Sequence, residues 1–455
     1  MKPQAATTLF VLIGVAVAHD VTPRHAASHV KRQSPAPAGT VVAGVTIPPL
    51  ASITFGMPTG AVPSATATAT PGAPGPYQGA PALPSPAWAF TPGQWPEMDK
   101  PIDSTTPQVQ EWMKELDGYD IPDISPTTDG SCVNDTAAAA DAAKRGWWTC
   151  GGYTRATDIT ACPDKMTWGV SFDDGPAPYS TNLLQFLKQE NVSATFFVVG
   201  SRVIEYPSIL INEYMAGHEI SVHTWSHPHL TALTTQQIVA ELGWTRKAIQ
   251  AVLGVTPTTM RPPYGDIDDR VRMIALAMGL VPIIWTRTPA GVSFDTFDWE
   301  VAGGTVQGPA SFAQFENILG NATTLDTGFC VLQHDLFEIT VDLAMGYTLN
   351  SALTHNPPFT LEAIGKCSKI PTTNMYVESN TNKTFPFPAP PASMAGGNTT
   401  SSSSNSSTSG SGSNGNGSSG KVSQQGASTG SSDARRVAAN LVLVGVAAVG
   451  SWLIL

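Results

Sequence analysis

Charged residues are scarce in this sequence, and basic residues are the scarcest. Asp, Glu, Lys and Arg make up 13% of the 455 residues, about half of the share that is usual in globular proteins. The 24 Lys and Arg are outnumbered by 35 Asp and Glu, which gives a net charge of −11 at pH 7. Nucleic-acid-binding proteins carry a basic surface that neutralises phosphates, so this composition argues against a nucleic-acid partner.

Long apolar runs are also missing, except at the two ends. Residues 1–18 combine Lys2 with an apolar stretch and the small residues Ala16-Val17-Ala18, which predicts a secretory signal peptide. Residues 433–455 place an uncharged tail after Arg435-Arg436. Small residues precede it, as in a signal for a glycosylphosphatidylinositol (GPI) anchor, and a plain transmembrane helix is the alternative. The candidate attachment residues are Ser428, Gly430, Ser431 and Ser432.

Composition divides the rest of the chain into zones. Residues 19–32 end at the dibasic pair Lys31-Arg32 and form a candidate propeptide. We expect a Pro/Ala/Thr-rich linker over 33–95 and a Ser/Gly/Asn-rich stalk over 371–432, because both have too few bulky apolar residues to offset the entropy of ordering. The predicted folded domain is 161–370, and 96–160 is an N-terminal extension that packs on it. Seven Asn-x-Ser/Thr sequences are candidate glycosylation sites: Asn134, Asn191, Asn321, Asn382, Asn398, Asn405 and Asn416.

The five cysteines fit a secreted protein, and their odd number leaves at least one without a disulfide partner. Cys162 and Cys367 bracket the predicted domain, so our hypothesis pairs them. Cys132 and Cys150 would then close a local loop. Four cysteines allow three connectivities, so two others stay open. Cys330 lies within an apolar run, and we interpret it as a buried free thiol.

Short apolar runs alternate with helical patterns between residues 160 and 370, which is typical of an α/β fold with a parallel sheet covered by helices. This length is sufficient for a barrel-like closure with fewer than eight regular strands. The predicted strands are Met166–Phe172, Ala194–Val199, Glu219–Val222, Val281–Trp285 and Phe329–Leu332. The predicted helices are Thr181–Gln189, Ile204–Ala216, Thr235–Leu253, Asp269–Met278, Phe312–Leu319 and Val341–Leu353.

Two polar clusters follow predicted strands and together indicate a metal site. Asp173 and Asp174 end the first strand, and adjacent carboxylates there point in different directions, so that one can bind a cation while the other remains a free base. A polar turn is the alternative for this pair. His223 and His227 lie four residues apart after the third strand. With Asp174 they offer two imidazoles and one carboxylate, a set that suits Zn²⁺, Fe²⁺ or Co²⁺ with open positions for water.

Nearly all of the reactive side chains come just after an apolar run, and three further clusters extend the series. They are Arg261-Pro262-Pro263-Tyr264-Gly265, Asp295-Thr296-Phe297-Asp298-Trp299 and Leu332-Gln333-His334. The two prolines keep the backbone extended and fix where the Arg261 side chain and the Tyr264 amide point. Because side chains at the carboxyl ends of barrel strands converge on one face, we expect all five clusters to meet there.

The ordered series Ser-Phe-Asp-Asp-Gly-Pro, His-Thr-Trp-Ser-His, Arg-Pro-Pro-Tyr, Asp-Thr-Phe-Asp-Trp and Leu-Gln-His resembles the five motifs of the polysaccharide deacetylases, the NodB-homology domain of carbohydrate esterase family 4. The series covers residues 171–334. A signal peptide, a stalk and a GPI tail make the layout most similar to the GPI-anchored chitin deacetylases of fungi. The first motif departs from the family at Ser171, where Thr is common. The resemblance implies a distorted (β/α) barrel of the NodB type.

The resemblance also implies a catalytic machinery. Asp174, His223 and His227 would bind one divalent cation, Zn²⁺ or Co²⁺. That cation would lower the pKa of a bound water to about 7 and polarise the acetamide carbonyl. Asp173 would be the general base on this water, and Arg261 would hold its carboxylate.

The remaining motif residues would act on the substrate. The Tyr264 backbone N–H would stabilise the oxyanion. His334 would protonate the leaving amine, with Asp298 orienting the imidazole and supporting its charge. Trp299 would wall the groove beside a sugar ring, and Leu332 would pack near the acetyl methyl group.

The implied reaction is hydrolysis of the N-acetyl groups of N-acetylglucosamine units in chitin, giving chitosan and acetate at the cell surface or wall. The implied partners are chitin or its oligomers and, through the GPI anchor, the outer face of the plasma membrane, and we expect a monomer. Three alternatives stay open. They are the same chemistry on acetylxylan or peptidoglycan, a catalytically inactive glycan-binding surface protein, and a structural mannoprotein whose stalk and glycans are the function.

Overall fold

A parallel sheet organises the residues that the computed structural model describes, which are 40–57 and 59–382. The strands are β1 (Thr40–Val42), β2 (Val45–Ile47), β3 (Thr167–Asp173), β4 (Thr195–Val198), β5 (Glu219–Val222), β6 (Thr259–Met260), β7 (Val281–Pro282), β8 (Phe329–Cys330) and β9 (Thr360–Ala363). The hairpin β1–β2 is separate. The main sheet has the order β7-β6-β5-β4-β3-β8, with β9 also paired to β3, and all of its pairs are parallel.

The main sheet curls until the chain that follows its edge strand β7 meets the chain around β8. The Thr286 N–H donates to the Cys330 carbonyl at 3.0 Å, and the Leu332 N–H donates to the Phe294 carbonyl at 2.9 Å. Every residue of β3, β4 and β5 is buried, as expected for parallel strands that are covered on both faces. The prediction of a distorted (β/α) barrel is therefore confirmed.

Helices cover the outside of this sheet. They are α1 (Pro107–Met113), α2 (Thr136–Ala140), α3 (Ala142–Arg145), α4 (Ser180–Gln189), α5 (Gly200–Glu205), α6 (Pro207–Met215), α7 (Thr235–Leu253), α8 (Asp269–Ala277), α9 (Asp298–Ala302), α10 (Gly308–Ala322), α11 (Glu338–Leu343), α12 (Leu349–Leu353) and α13 (Ile364–Cys367), with a π-helical turn at Ala344–Thr348. The predicted helix 204–216 is replaced by α5 and α6. Pro207 is the first residue of α6, because proline suits a helix start but cannot continue a helix through its interior.

Residues 40–95 are not the linker that their composition predicted. Ile47, Ile53 and Leu83 are buried in the main hydrophobic core. Polar contacts add to this packing, since the Tyr347 hydroxyl donates to the Pro48 carbonyl at 2.7 Å and the Thr68 N–H donates to Asn212 Oδ1 at 2.7 Å. Single apolar residues, spaced along a Pro/Ala/Thr-rich chain, pack at separate places on the barrel. The average composition of the segment does not reveal them, which is why the linker prediction was wrong.

The predicted boundary at residue 371 is also too early. Met375 and Tyr376 are buried in the main core, and the Ile220 N–H of β5 donates to the Tyr376 hydroxyl at 2.9 Å. Residues 371–382 therefore belong to the folded domain rather than to a stalk. The remainder of the predicted stalk lies outside the described residues.

Tryptophans join the extension 96–160 to the barrel. Trp112 of α1 packs edge-on against Trp244 of α7, with ring centroids 5.5 Å apart. Trp148 packs edge-on against Trp285 at 4.4 Å. Edge-to-face aromatic pairs add to the free energy of burial itself, so the extension is part of the folded domain.

The structure contains the Cys132–Cys150 and Cys162–Cys367 disulfides. The second bond ties the chain before β3 to the end of α13. Cys330 is a buried free thiol, and burial raises its pKa to about 12. A thiol with such a pKa stays protonated near neutral pH and is a poor nucleophile.

None of the helices in the described part of the chain is long and apolar enough to cross a bilayer. The predicted signal peptide 1–18, the segment 19–32 and the predicted GPI tail 433–455 lie outside the described residues. So do the candidate attachment residues Ser428, Gly430, Ser431 and Ser432.

The packing of residues 40–95 can be tested with a pair of alanine variants. Ile53→Ala removes a fully buried side chain and should lower the free energy of unfolding by about 2–5 kcal/mol, because it leaves a cavity in the core. Val41→Ala is the control, since this side chain is 64% exposed and should change the free energy by less than about 0.5 kcal/mol. Denaturant unfolding measures both. Equal and small changes in the two variants would mean that the segment is a detached linker.

Candidate active site

The carboxyl ends of the strands bring the five motifs to one end of the barrel. Asp173 is the last residue of β3, and His223 follows β5 directly. Arg261 follows β6 and donates its backbone N–H to Val222 of β5 at 2.9 Å. His334 forms a parallel bridge with Asp173. Parallel strands converge in this way in β/α barrels, and the observed placement agrees with that rule.

Asp174, His223 and His227 converge on one point. Asp174 Oδ1 lies 3.3 Å from His223 Nε2 and 3.2 Å from His227 Nε2. One ligand atom from each residue lies within 4.8 Å of the other two. Burial raises the pKa of Asp174, but the charge of His227 and the close approach of His223 outweigh burial, so the pKa lies well below its usual value.

The surroundings of this triad fit a metal ion. Asp174 Oδ1 is buried and has no hydrogen-bond partner among the described residues, which is costly unless a cation occupies the site. His223 Nδ1 lies 2.8 Å from the Arg261 carbonyl. A carbonyl only accepts hydrogen bonds, so Nδ1 carries the proton and Nε2 keeps a lone pair for a metal. Two imidazoles and a carboxylate are a common ligand set for Zn²⁺ and similar ions.

Asp173 is held beside the triad by Arg261. Arg261 Nη1 donates to Asp173 Oδ1 at 2.7 Å and to Ser171 Oγ at 3.0 Å. The guanidinium also lies 4.0 Å from the ring centroid of Phe197. The second carboxylate oxygen, Asp173 Oδ2, is 4.0 Å from His223 Nε2. Arg261 thus fixes one oxygen of Asp173 and leaves the other directed toward the triad.

His334 is paired with Asp298 through both its ring and its backbone. His334 Nδ1 lies 2.8 Å from Asp298 Oδ1, and the His334 N–H donates to Asp298 Oδ2 at 2.8 Å. Burial lowers the pKa of His334, but the charge and hydrogen bond of Asp298 outweigh burial and raise the pKa to about 10. His334 is therefore an imidazolium at neutral pH, which can donate a proton.

A cleft of about 270 Å³ lies over the triad, and its lining includes Asp174, Ser226, His227 and Tyr264. Tyr264 is 51% exposed and packs edge-on against His227, with ring centroids 4.6 Å apart.

The other two side chains that the resemblance assigned to the substrate differ in exposure. Trp299 is 48% exposed and belongs to α9, whereas Leu332 is buried, with 7% of its surface accessible. A half-exposed aromatic ring offers a face for stacking on a sugar, and an apolar wall suits a methyl group.

The motif loops hold unusual backbone conformations. Ten non-glycine residues among those described have a positive φ angle, and five of them belong to the motifs. They are Asp174 (78°), Thr224 (63°), His227 (59°), Tyr264 (59°) and Phe297 (58°). Such conformations cost free energy and persist where the surrounding structure enforces them. The loops are therefore shaped for the positions of their side chains.

Glu241 supports the histidine loop, and sequence reasoning missed it. Its Oε2 accepts the backbone N–H groups of Trp225 at 2.8 Å and Ser226 at 2.9 Å, and its Oε1 accepts the Ser226 hydroxyl at 2.8 Å. Burial raises the pKa of Glu241 to about 7, although these hydrogen bonds oppose the shift. The only signal in the sequence was a carboxylate among apolar residues on a long helix.

Asp335 is a second buried carboxyl that sequence reasoning missed. It accepts a hydrogen bond from the Ser180 hydroxyl, and its backbone N–H donates to the Asp173 carbonyl at 3.2 Å. Burial raises its pKa to about 7. A Cβ atom at Gly175 would lie 2.7 Å from both carboxyl oxygens of Asp335, so a larger residue at this position would displace the Asp335 carboxyl group.

The predicted glycosylation sites lie on the surface where the structure describes them. Asn134, Asn191 and Asn382 are exposed, and Asn321 is partly buried on α10. The other three are outside the described residues: Asn398, Asn405 and Asn416. Their occupancy by glycans stays a prediction.

Comparisons with known proteins point to one family. A family model described as polysaccharide deacetylase matches residues 160–283, which include the first three motifs. Chitin deacetylase 1 of Cryptococcus neoformans var. grubii is 48% identical over 345 residues, or 75% of this chain and 72% of that protein. Chitin deacetylase 2 of the same fungus is 38% identical over 57% of this chain and 56% of its own length. Among solved structures, the peptidoglycan deacetylase PdaC of Bacillus subtilis is 30% identical over 46% of this chain and 92% of that chain, with a TM-score of 0.38.

Glu241 can be tested as the support of the histidine loop. Glu241→Leu leaves two buried backbone N–H groups without acceptors, so we expect the affinity for Zn²⁺ to fall about 10–100-fold. Glu241→Gln is the matched control, because it keeps one oxygen acceptor and should lose less. Competition with a chromogenic chelator measures the affinity, and thermal unfolding shows whether each variant is folded. A folded Glu241→Leu variant with the affinity of the unchanged protein would contradict this role.

Proposed function

The chain belongs to the polysaccharide deacetylase family, and from this premise we propose that it hydrolyses the N-acetyl groups of N-acetylglucosamine units in chitin. The products are chitosan and acetate. One observation carries the chemistry: Asp173, held by a buried arginine, is 4.0 Å from His223 Nε2 of a three-ligand metal site. The choice of chitin is supported by the relative of 48% identity, which is a chitin deacetylase.

Asp174, His223 and His227 hold one divalent cation, Zn²⁺ or Co²⁺, in this proposal. When bound, such a cation lowers the pKa of a water to about 7 and polarises a carbonyl oxygen. The ligand atoms are positioned before the ion arrives, because the Arg261 carbonyl fixes the tautomer of His223 and a strained backbone turn fixes His227.

Asp173 is the general base. It accepts the proton of the attacking water through Oδ2, since Oδ1 is occupied by Arg261. The new bond joins the water oxygen to the acetyl carbon, and the carbonyl oxygen takes up the negative charge. The Tyr264 backbone N–H donates to that oxyanion, in the manner of an oxyanion hole.

His334 is the general acid. The C–N bond breaks as His334 gives its proton to the leaving nitrogen, which departs as the free amine of glucosamine, and acetate remains. Asp298 keeps the imidazole charged and oriented. Trp299 stacks beside a sugar ring and Leu332 packs against the acetyl methyl group.

The proposal includes a place of action, which rests on the predicted signal peptide 1–18 and the predicted GPI tail 433–455. A signal peptide sends the protein into the secretory route, and a GPI anchor attached within 428–432 holds it at the outer face of the plasma membrane and in the wall. The protein acts there as a monomer on chitin.

Acetate release from a chitin oligomer tests the activity directly. We expect release by the purified chain, loss of release with a chelator, and recovery on addition of Zn²⁺. Asp173→Asn should lower kcat about 10²–10⁴-fold, because it removes the general base. Asp326→Asn is the matched control, since Asp326 is fully exposed and should keep full activity.

Two negative results of the acetate-release assay have different meanings. Release from acetylxylan or peptidoglycan but not from chitin would show the same chemistry on another polymer. A chain that binds zinc and releases acetate from none of these substrates would be a glycan-binding protein without catalysis.

The pH profile tests the pairing of His334 with Asp298. Asp298→Asn removes the charge that raises the pKa of His334, so this pKa should fall from about 10 toward the ordinary value of about 6.5. The general acid must be protonated, so activity should fall most above pH 7, by about tenfold or more at pH 8, and least near pH 5.5. Kinetics from pH 5 to 10 and NMR titration of the imidazole measure the shift. A uniform loss at every pH would contradict this assignment.

A further inference from the structure

The cleft over the metal triad has a wall that the motifs do not supply. Its lining includes Asp99 and Arg202 in addition to the motif residues Asp174, His227 and Tyr264. Arg202 belongs to α5, and Asp99 belongs to the N-terminal extension. The extension therefore contributes a charged side chain to the site where the proposed chemistry takes place.

Neither of these two charges is neutralised within the described part of the chain. No ion pair among the described residues involves Asp99 or Arg202. Asp99 uses one oxygen, Oδ1, to accept the hydroxyl of Ser201 at 2.9 Å. An exposed carboxylate oxygen and a guanidinium thus share a cleft with the metal ligands.

The extension is fastened at this place to the loop that carries the metal ligands. Trp95, the residue just before the extension, stacks parallel to Trp225, with ring centroids 6.3 Å apart and planes within 1°. The Trp225 indole N–H also donates to the Glu97 carbonyl at 3.0 Å. Because Trp225 lies between His223 and His227, these contacts fix the position of Asp99 relative to the triad.

We propose that Asp99 and Arg202 form a glycan subsite that binds the N-acetylglucosamine unit adjacent to the one that reacts. This inference rests on the proposed function. Each such unit carries hydroxyl groups and an acetamide, which together offer hydrogen-bond donors to Asp99 and acceptors to Arg202. The pair carries no net charge, so it suits an uncharged acetylated sugar. The subsite acts by binding, and it takes no part in the proton transfers.

Kinetics on the chitin tetramer test the subsite with the full, zinc-loaded chain. Asp99→Asn and Arg202→Gln should each raise KM about tenfold and leave kcat within about twofold, because each removes a charge-assisted hydrogen bond that is equal in the ground and transition states. Asp123→Asn is the matched control, since Asp123 is an exposed carboxylate of the same extension and does not line the cleft. It should keep the KM of the unchanged protein.

A binding measurement separates this proposal from the proposed function. In an Asp173→Asn background, calorimetry should show the affinity for the tetramer falling about tenfold when Asp99→Asn is added, whether or not the unchanged chain releases acetate. Unchanged KM and affinity in both variants would overturn the subsite while leaving the activity in place. A fall in kcat and in Zn²⁺ affinity without a change in KM would also overturn it, because Asp99 would then act only by holding the metal loop.

Discussion

One buried residue, Arg261, connects three of the five motifs. Its side chain donates to Asp173 and Ser171 of the first motif, and its carbonyl lies at hydrogen-bond distance from the ring of His223 in the second. A guanidinium that is fully buried would be strongly destabilising without partners. Here a carboxylate, a hydroxyl and the face of Phe197 surround it. The base and the barrel interior are thus linked by the need to satisfy one charge, and the backbone of the same residue holds the first imidazole.

The rest of the site consists of strained loops that carry the functional side chains and of buried carboxylates that support those loops. The loops supply the side chains and hold residues such as His227 and Tyr264 at positive φ. One support comes from a helix outside the motifs, Glu241 on α7, and a second is Asp335, which directly follows the fifth motif and lies behind Gly175. Helices and strands position groups more accurately than loops do. This arrangement explains why a catalytic face made of loops can still be held in a defined geometry.

Much of the barrel was predictable because its strands and helices have strong periodic patterns. The strand 219–222 and the helix 235–253 have the predicted ends, and the structure shows capping contacts of Thr234 and Gln237 at the start of α7. Strands β6 and β9 were missed, since a two-residue strand and the mixed sequence Thr-Leu-Glu-Ala carry no apolar run. Asp174, His223 and His334 could be placed because they closely follow predicted strands, whereas Arg261 follows the missed strand β6. Asp99 and Glu241 could not, since their partners are distant in sequence and their residue types are common on surfaces.

The N-terminal segment that closes over the barrel sets a condition on how the chain folds. Gly60 donates to Glu338, Tyr77 meets Ser379, and Pro48 accepts from Tyr347, with sequence separations of 278, 302 and 299 residues. Contacts of such long range form late and make folding slow. During synthesis the first segment leaves the ribosome long before its binding surface exists. Ile47 and Ile53 must therefore remain without their native partners until almost the whole domain has been translated, because Gly308 and Gly346, which lie against them, are among the late residues of the chain.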